Sequence, residues 1–366
     1  MLLQVWGTIS AARPAPPVTH DGPVDVDLLV VGGGPVGLAT AIEGTLAGMS
    51  VAVLDRRTGP VDKACGEGLM PSAVDALARL GVGVRGREFR GISYCAPGRT
   101  ATALFAGRPG LGVRRLALSS ALAARADALG VKRLDLAVTA PMLRPDGVEV
   151  AGVSASWLAV ADGLHSPTRR ALGLHREPSP RVAPRYGLRR HYRVPPWSDL
   201  VEVHWAPRAE AYVTPVAPDV VGVAVLGPGD GRRFDDLLSQ FPELRERVRG
   251  AEPASSVRGA GPLRQRARRR VHGRALLVGD AAGYVDALTG EGLSVGLACA
   301  RELVECLVDE QPQAYERAWR RATRRYRVLT GGLLWAAQRP RVRPAIVPAA
   351  ERLPSVFTAV VRQLGH

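Results

Sequence analysis

Short apolar runs alternate with helical stripes along this chain. Leu28-Leu29-Val30-Val31 is a run of a length that suits a buried strand. Leu38, Ile42 and Leu46 then share one face of a helix that stops near Gly48, and Val51-Ala52-Val53-Leu54 reads as a second strand. The pattern predicts helices from Pro71 to Leu80, from Arg115 to Leu129, from Phe234 to Val248 and from about Leu293 to Val308, with mostly helix after that. Residues 89–105, Val148 to Val150, Trp157 to Val160 and Ala275 to Val278 read as strands. Between Arg185 and Leu226 the pattern is β-rich and punctuated by Pro and Gly, the best candidate for a separate sheet. No apolar run is long enough to span a membrane.

The length of 366 residues suits two closely joined domains. Residues 1–24 are rich in Pro and Ala and read as a flexible N-terminal extension without signal-peptide character. The net charge of +15 comes almost wholly from arginine, since Lys63 and Lys132 are the only lysines. Clusters stand at Arg264 to Arg270 and at Arg320 to Arg325. Such a surface attracts an anionic substrate, an acidic carrier protein or anionic lipid; with few aromatics and no recognisable module, nucleic acid is not an expected partner. The four cysteines show no metal spacing and no disulfide framework, so no metal is expected and a cytoplasmic setting is.

Chemistry enters with the glycines. Gly32, Gly34 and Gly37 have the spacing G-x-G-x-x-G, and Pro35 opens the helix. Gly32 permits the tight turn, Gly34 lets a pyrophosphate approach the backbone, and Gly37 lets helix and strand pack closely. The free N–H groups of the helix start favour phosphate. Asp55 ends the second strand as an acceptor for a ribose, with Arg56 beside it. A βαβ unit without a nucleotide is the bland alternative.

Two later segments complete a set. ADGLHSPTRR at 161–170 and LLVGDAAG at 276–283, taken with the glycine unit, resemble the three motifs of FAD-dependent oxidoreductases built like para-hydroxybenzoate hydroxylase and geranylgeranyl reductase. The resemblance covers about residues 25–310. It implies an α/β fold: a Rossmann-like FAD-binding domain of the glutathione-reductase type with an inserted β-rich substrate domain and C-terminal helices. The expected divisions are 25–88, 111–175 and 270–310 for FAD, 89–110 and 176–269 for substrate, and 311–366 for a C-terminal helical segment. Asp162 and Gly163 match the family's Asp-Gly motif. Gly279 and Asp280 match its Gly-Asp motif, which implies that Asp280 hydrogen-bonds the ribityl chain. Arg115 falls where the family has an arginine near the cofactor. Gly290 and Gly292 let backbone approach the flavin ring.

The loop KACGEGLMP and the segment GDAAGYVDALTGEG resemble those of geranylgeranyl reductases, although Glu67 stands where their loop has a glycine. The tryptophan-rich motif of flavin halogenases is absent. Catalytic candidates are Glu67, Cys65 and Tyr212. Glu67 is either a general base on a phenol or an anchor for backbone amides, Cys65 either packing or a redox thiol. Tyr212, His204 and Trp205 lie on the substrate sheet, and Tyr284 is placed to line a pocket. The resemblance implies an FAD-dependent monooxygenase that uses NAD(P)H as co-substrate and O2 to hydroxylate an aromatic, polyketide-like or lipid-like molecule through a flavin C4a-hydroperoxide. The alternatives are a reductase of C=C bonds in an isoprenoid or other lipid, and a flavin-free module keeping only the fold. Val356, Phe357, Val360, Val361 and Leu364 form an apolar stripe that either packs on the enzyme's own core or covers an apolar substrate or a membrane surface.

Overall fold

The computed structural model describes residues 25–57, 59–177 and 183–364; the extension at 1–24 lies outside them. The chain begins with β1 (Val26–Val31), α1 (Pro35–Leu46) and β2 (Val51–Leu54), followed by α2 (Pro71–Arg79) and the antiparallel pair β3 (Gly91–Ala96) and β4 (Arg99–Leu104). Next come α3 (Arg115–Ala128), β5 (Lys132–Leu134), β6 (Val153–Val160) and α4 (Pro167–Ala171). A long antiparallel run follows: β7 (Arg185–Arg193), β8 (Val201–Trp205), β9 (Glu210–Ala217) and β10 (Val220–Pro228). The helix expected from Phe234 to Val248 is two short ones, α5 (Phe234–Leu238) and α6 (Pro242–Arg247), because Pro242 opens the second and cannot continue the first. Then come β11 (Arg258–Ala260), β12 (Gln265–Arg266), β13 (Ala275–Leu277), β14 (Gly283–Tyr284) and four helices: α7 (Gly292–Val308), α8 (Tyr315–Ala337), α9 (Ile346–Arg352) and α10 (Pro354–Leu364).

Five strands form a parallel layer in the order β13-β6-β1-β2-β5. β1 is buried along nearly its whole length, which explains its unbroken apolar sequence: both faces of a parallel sheet are covered. The chain leaves β1 toward β2 on one side and returns through β6 on the other, so the sheet's topological switch lies between β1 and β6. Ligands bind at the carboxyl ends of strands at such a point. All three motifs follow carboxyl ends there: the glycines after β1, Asp162 after β6 and Gly279 after β13.

A second sheet runs β11-β7-β10-β9-β8-β3-β4. It takes β3 and β4 from the region before α3, and only its β8–β3 pairing is parallel. The C-terminal helices cover it. Arg343, just before α9, donates to the Glu210 carboxylate of β9 at 2.6 Å and to the Ala209 carbonyl at 2.6 Å. Phe357 and Val361 of the apolar stripe are buried, with the Phe357 ring tilted against Tyr94 at 4.7 Å between centroids, while Val356 is exposed. Phe357 and Val361 therefore pack on the protein's own core, and the Leu364 side chain lies outside the described residues. Leu46 is also exposed, so the α1 stripe is shorter than its sequence pattern. No helix among the described residues is long and apolar enough to cross a membrane.

Two glycines permit the crossing of α1 over β1. A methyl group on Gly37 would lie 1.8 Å from the Gly32 carbonyl oxygen, and one on Gly32 would lie 2.5 Å from that of Ala161. Gly37→Ala is expected to destabilise the fold by about 1–3 kcal/mol, the usual cost of overpacking, and to raise the protein's demand for FAD in order to stay folded. Chemical denaturation of wild type and variant, with and without FAD, measures both.

Candidate functional site

The α1 N-terminus is built for an anion. Its cap, Gly34, makes no side-chain hydrogen bond to the first turn, and Pro35 fills the first helical position. A methyl on Gly34 would meet nothing within 4 Å. The helix therefore presents free N–H groups and a positive dipole end to an open space, as a pyrophosphate requires.

Asp55 sits at the far end of this cradle. Its carboxylate accepts from the Gly33 amide at 2.7 Å and from the Arg57 guanidinium at 2.7 Å and 2.5 Å. Burial would raise its pKa, but the Arg57 and Gly33 hydrogen bonds outweigh that and hold it below the usual carboxylate range. The partner is Arg57; Arg56, a candidate for cofactor binding, is exposed beside it. Cations gather toward the other end. Burial, with the neighbouring Arg57 and Arg115 charges, lowers the Lys63 ammonium. Burial raises the Asp280 carboxyl, opposed by Arg115, Lys63 and Arg169. The Arg115 Nε and one Asp162 oxygen (Oδ1) are buried without a partner. Asp162 caps α4 through its other oxygen, which accepts from the Thr168 amide at 2.9 Å. Capping therefore leaves Oδ1 free of any protein partner. Orphaned polar atoms around an open glycine cradle fit a polar cofactor of FAD's shape and charge.

A buried guanidinium joins the second and third motifs. Arg169 donates to the Ala281 carbonyl at 3.0 Å, the Leu164 carbonyl at 3.1 Å and the Gln265 side-chain oxygen at 2.9 Å. Ser166 caps the same short helix by accepting from the Arg169 amide at 3.0 Å.

The loop after β2 is bolted to the second sheet. Glu67 takes a left-handed φ of 59°, the conformation a glycine would adopt without strain. Its carboxylate accepts from the Arg115 backbone amide at 2.8 Å and pairs with His191 Nε2 on β7 at 2.5 Å. His191 Nδ1 faces the Arg189 guanidinium at 3.2 Å and the Ser255 hydroxyl at 2.8 Å. Because the guanidinium can only donate, Nδ1 is the acceptor and Nε2–H donates to Glu67. Thr214 adds a bond to the Gly66 carbonyl at 2.7 Å. Glu67 is thus placed as an anchor that holds a backbone amide. Cys65 is half-buried, its sulfur 3.4 Å from the Glu67 amide.

The segment carrying Gly290 and Gly292 is clamped from three sides. The Tyr212 hydroxyl donates to the Leu288 carbonyl at 2.8 Å, so it ties β9 to this segment. Arg185 pairs with Asp286 at 3.0 Å, and Thr289 meets Thr330 at 2.7 Å. Gly290 has a φ of 69° that favours glycine. Between the two glycines lies Glu291, which the sequence pattern did not single out. It is buried, with its Oε2 unpartnered and Arg325 3.9 Å from Oε1. Burial pushes its pKa up to about 7, against the Arg325 charge and the Thr289 hydroxyl. Its signal was present in the TGEG string, as an acid enclosed by two glycines.

Trp205 is buried against Tyr94 at 5.5 Å and Tyr284 lines a cavity. His204 faces the other side of the sheet, where Glu202 accepts from its Nε2 at 2.9 Å and from Trp197 at 3.0 Å. Cys95 joins them there, with one potential ligand atom from each residue within 4.8 Å of the others, a grouping that only the β3–β8 register creates.

Fold and site together define an FAD-dependent oxidoreductase. The chain belongs to the FAD binding domain family, whose profile matches residues 25–90 and 117–317. It is 31% identical over 318 residues to a menaquinone reductase of Mycobacterium tuberculosis, covering 77% of this chain and 76% of that protein. It is 32% identical over 301 residues to a dialkyldecalin synthase of Streptomyces rugosporus, covering 74% and 62%. The solved structure of the flavin-dependent brominase Bmp2 matches with a TM-score of 0.80 at 19% identity, covering 93% of each chain, a likeness of fold.

Asp280→Ala is expected to weaken FAD retention about tenfold or more, the loss of one hydrogen bond to a charged partner, without unfolding the chain. Equilibrium dialysis of FAD checks it, and unchanged affinity places the ribityl chain elsewhere.

Proposed function

We propose that this enzyme is a reductase that saturates a C=C bond in an apolar, prenyl-type lipid or quinone, with NAD(P)H as the source of electrons. Bound FAD would supply the two-electron carrier between them. The observation that carries the reading is Glu291. Reduction of a double bond consumes a proton as well as a hydride, so the site needs an acid protonated near neutral pH. A carboxyl raised to about 7 by burial is such an acid. Gly290 and Gly292 on either side let it stand close to the ring end of the cofactor. Hydroxylation of a phenol instead calls for a free base. Glu67, the expected base, has both oxygens engaged, and the Tyr212 hydroxyl is donated to a carbonyl and made less acidic by burial. The menaquinone reductase relative and the CGEGL loop support the same direction.

In this reading Glu291 holds the proton, the Glu67–His191 pair fixes the loop facing it, and the second sheet excludes water. Enzyme reduced under nitrogen and given geranylgeraniol, which has no quinone ring to take up the electrons, is expected to release product heavier by two hydrogens. A product heavier by one oxygen, formed only after air is admitted, would instead establish the monooxygenase.

The rate of that reduction is expected to fall about tenfold per pH unit above about pH 7, as Glu291 loses its proton. In Glu291→Gln the inflection disappears and the rate is low throughout. Pre-steady-state rates across pH check this, and an unshifted inflection in the variant assigns the proton to another group.

A further inference from the structure

Two arginine-rich stretches, far apart in sequence, meet around one cavity. It has a volume of about 430 Å³ and lies between β12, β14, α7 and α8. Arg264, Arg266, Arg268 and Arg270 enter from the first stretch, Arg320 from the second with Arg327 just beyond it on α8, and Arg176 from the loop after α4. The cavity touches the candidate FAD site at Gly279, Asp280 and Gly292, and the arginines that line it lie outside that site.

These charges are not balanced. Arg270 and Arg320 share Glu316, at 3.1 Å and 3.2 Å. Among the described residues no carboxylate pairs with Arg176, Arg264 or Arg266. Among the described residues Asp280 is the only acid lining the cavity, and it faces the Lys63 and Arg115 cations of the cofactor cradle as well. Partial burial, then the charges of Arg176, Arg264 and Arg327, hold the Arg266 guanidinium below its usual range, and no acid opposes them. Unpaired arginines gathered around a concavity repel one another, and a bound anion relieves that repulsion. Arginine forks match phosphate oxygens in geometry as well as charge. The wall also offers Trp319 and Tyr326 as apolar surface, and a cavity of this size falls in the ordinary range for small-molecule sites.

We propose that this cavity binds the phosphate of a small phosphorylated molecule. Two sources share that chemistry: the phosphates of the dinucleotide reductant, or a phosphorylated head on the substrate. The inference rests on the reading under Proposed function for the identity of either source, but not for the existence of the site.

The test is isothermal titration of the full, FAD-loaded chain with inorganic pyrophosphate. One pyrophosphate per chain is expected, with affinity falling as salt rises. Arg266→Glu and Arg264→Glu are each expected to weaken it tenfold or more. Arg85→Glu, an exposed arginine on the loop after α2, lowers total charge equally and is expected to change affinity little. FAD content and melting temperature show that each variant is folded. Competition then separates the sources. Displacement by adenosine 2′,5′-bisphosphate supports the dinucleotide, and displacement by geranylgeranyl diphosphate alone supports a phosphorylated substrate. Absent pyrophosphate binding, or equal affinity in wild type and both cavity variants, overturns the site. Failure of the reductase reading would leave the pyrophosphate result unchanged, so the two can fail separately.

Discussion

Arg169 carries its charge with none of its surface exposed to water, and the oxygens that compensate it come from separate parts of the chain. Leaving such a charge unpaired in an interior is prohibitive, and arginine cannot escape by losing its proton. The Asp162 loop and the 279–282 turn are therefore held at one separation, set by a planar guanidinium. Gly32 and Gly37 set the other separation, because backbone on both sides leaves no space for a methyl group. With those two distances fixed, the carboxyl ends of β1, β6 and β13 present one continuous surface. A long cofactor can then touch motifs that lie more than two hundred residues apart in sequence.

The cofactor half of the molecule was largely legible in the sequence. Strand, glycines, helix and terminal acid are local features, and each carries its own physical signature within a few residues. The chemistry end was less so. Glu67 faces His191 across 124 residues, a pairing that only the docking of the loop on β7 creates. The fork of Arg57 on Asp55 was not legible either, since the string Asp-Arg-Arg offers two arginines and only the fold selects one. Glu291 was hidden between two glycines that drew attention to the backbone, and its acidity depends on burial by α8 and the surrounding segment. The break at Pro242 was readable in principle, since proline at a first helical position marks a start rather than an interior. The meeting of the two arginine clusters is purely tertiary.

The second sheet and the C-terminal helices act as one body toward the flavin end. Glu210 is paired with both Arg185 and Arg343, and Arg185 continues to Asp286 in the segment before Glu291. Buried charge networks of this kind contribute little net stability but fix geometry, since breaking one member strands the others. The segment that carries Glu291 is thereby tied to the second sheet.

The central claim is that three distant loops form one FAD site. Hydrogen–deuterium exchange of the chain with and without FAD tests it directly. The account predicts that residues 32–38, 162–168 and 279–293 gain protection together, in proportion to one FAD per chain. Protection confined to the glycine unit, with the other two segments unchanged, would contradict it.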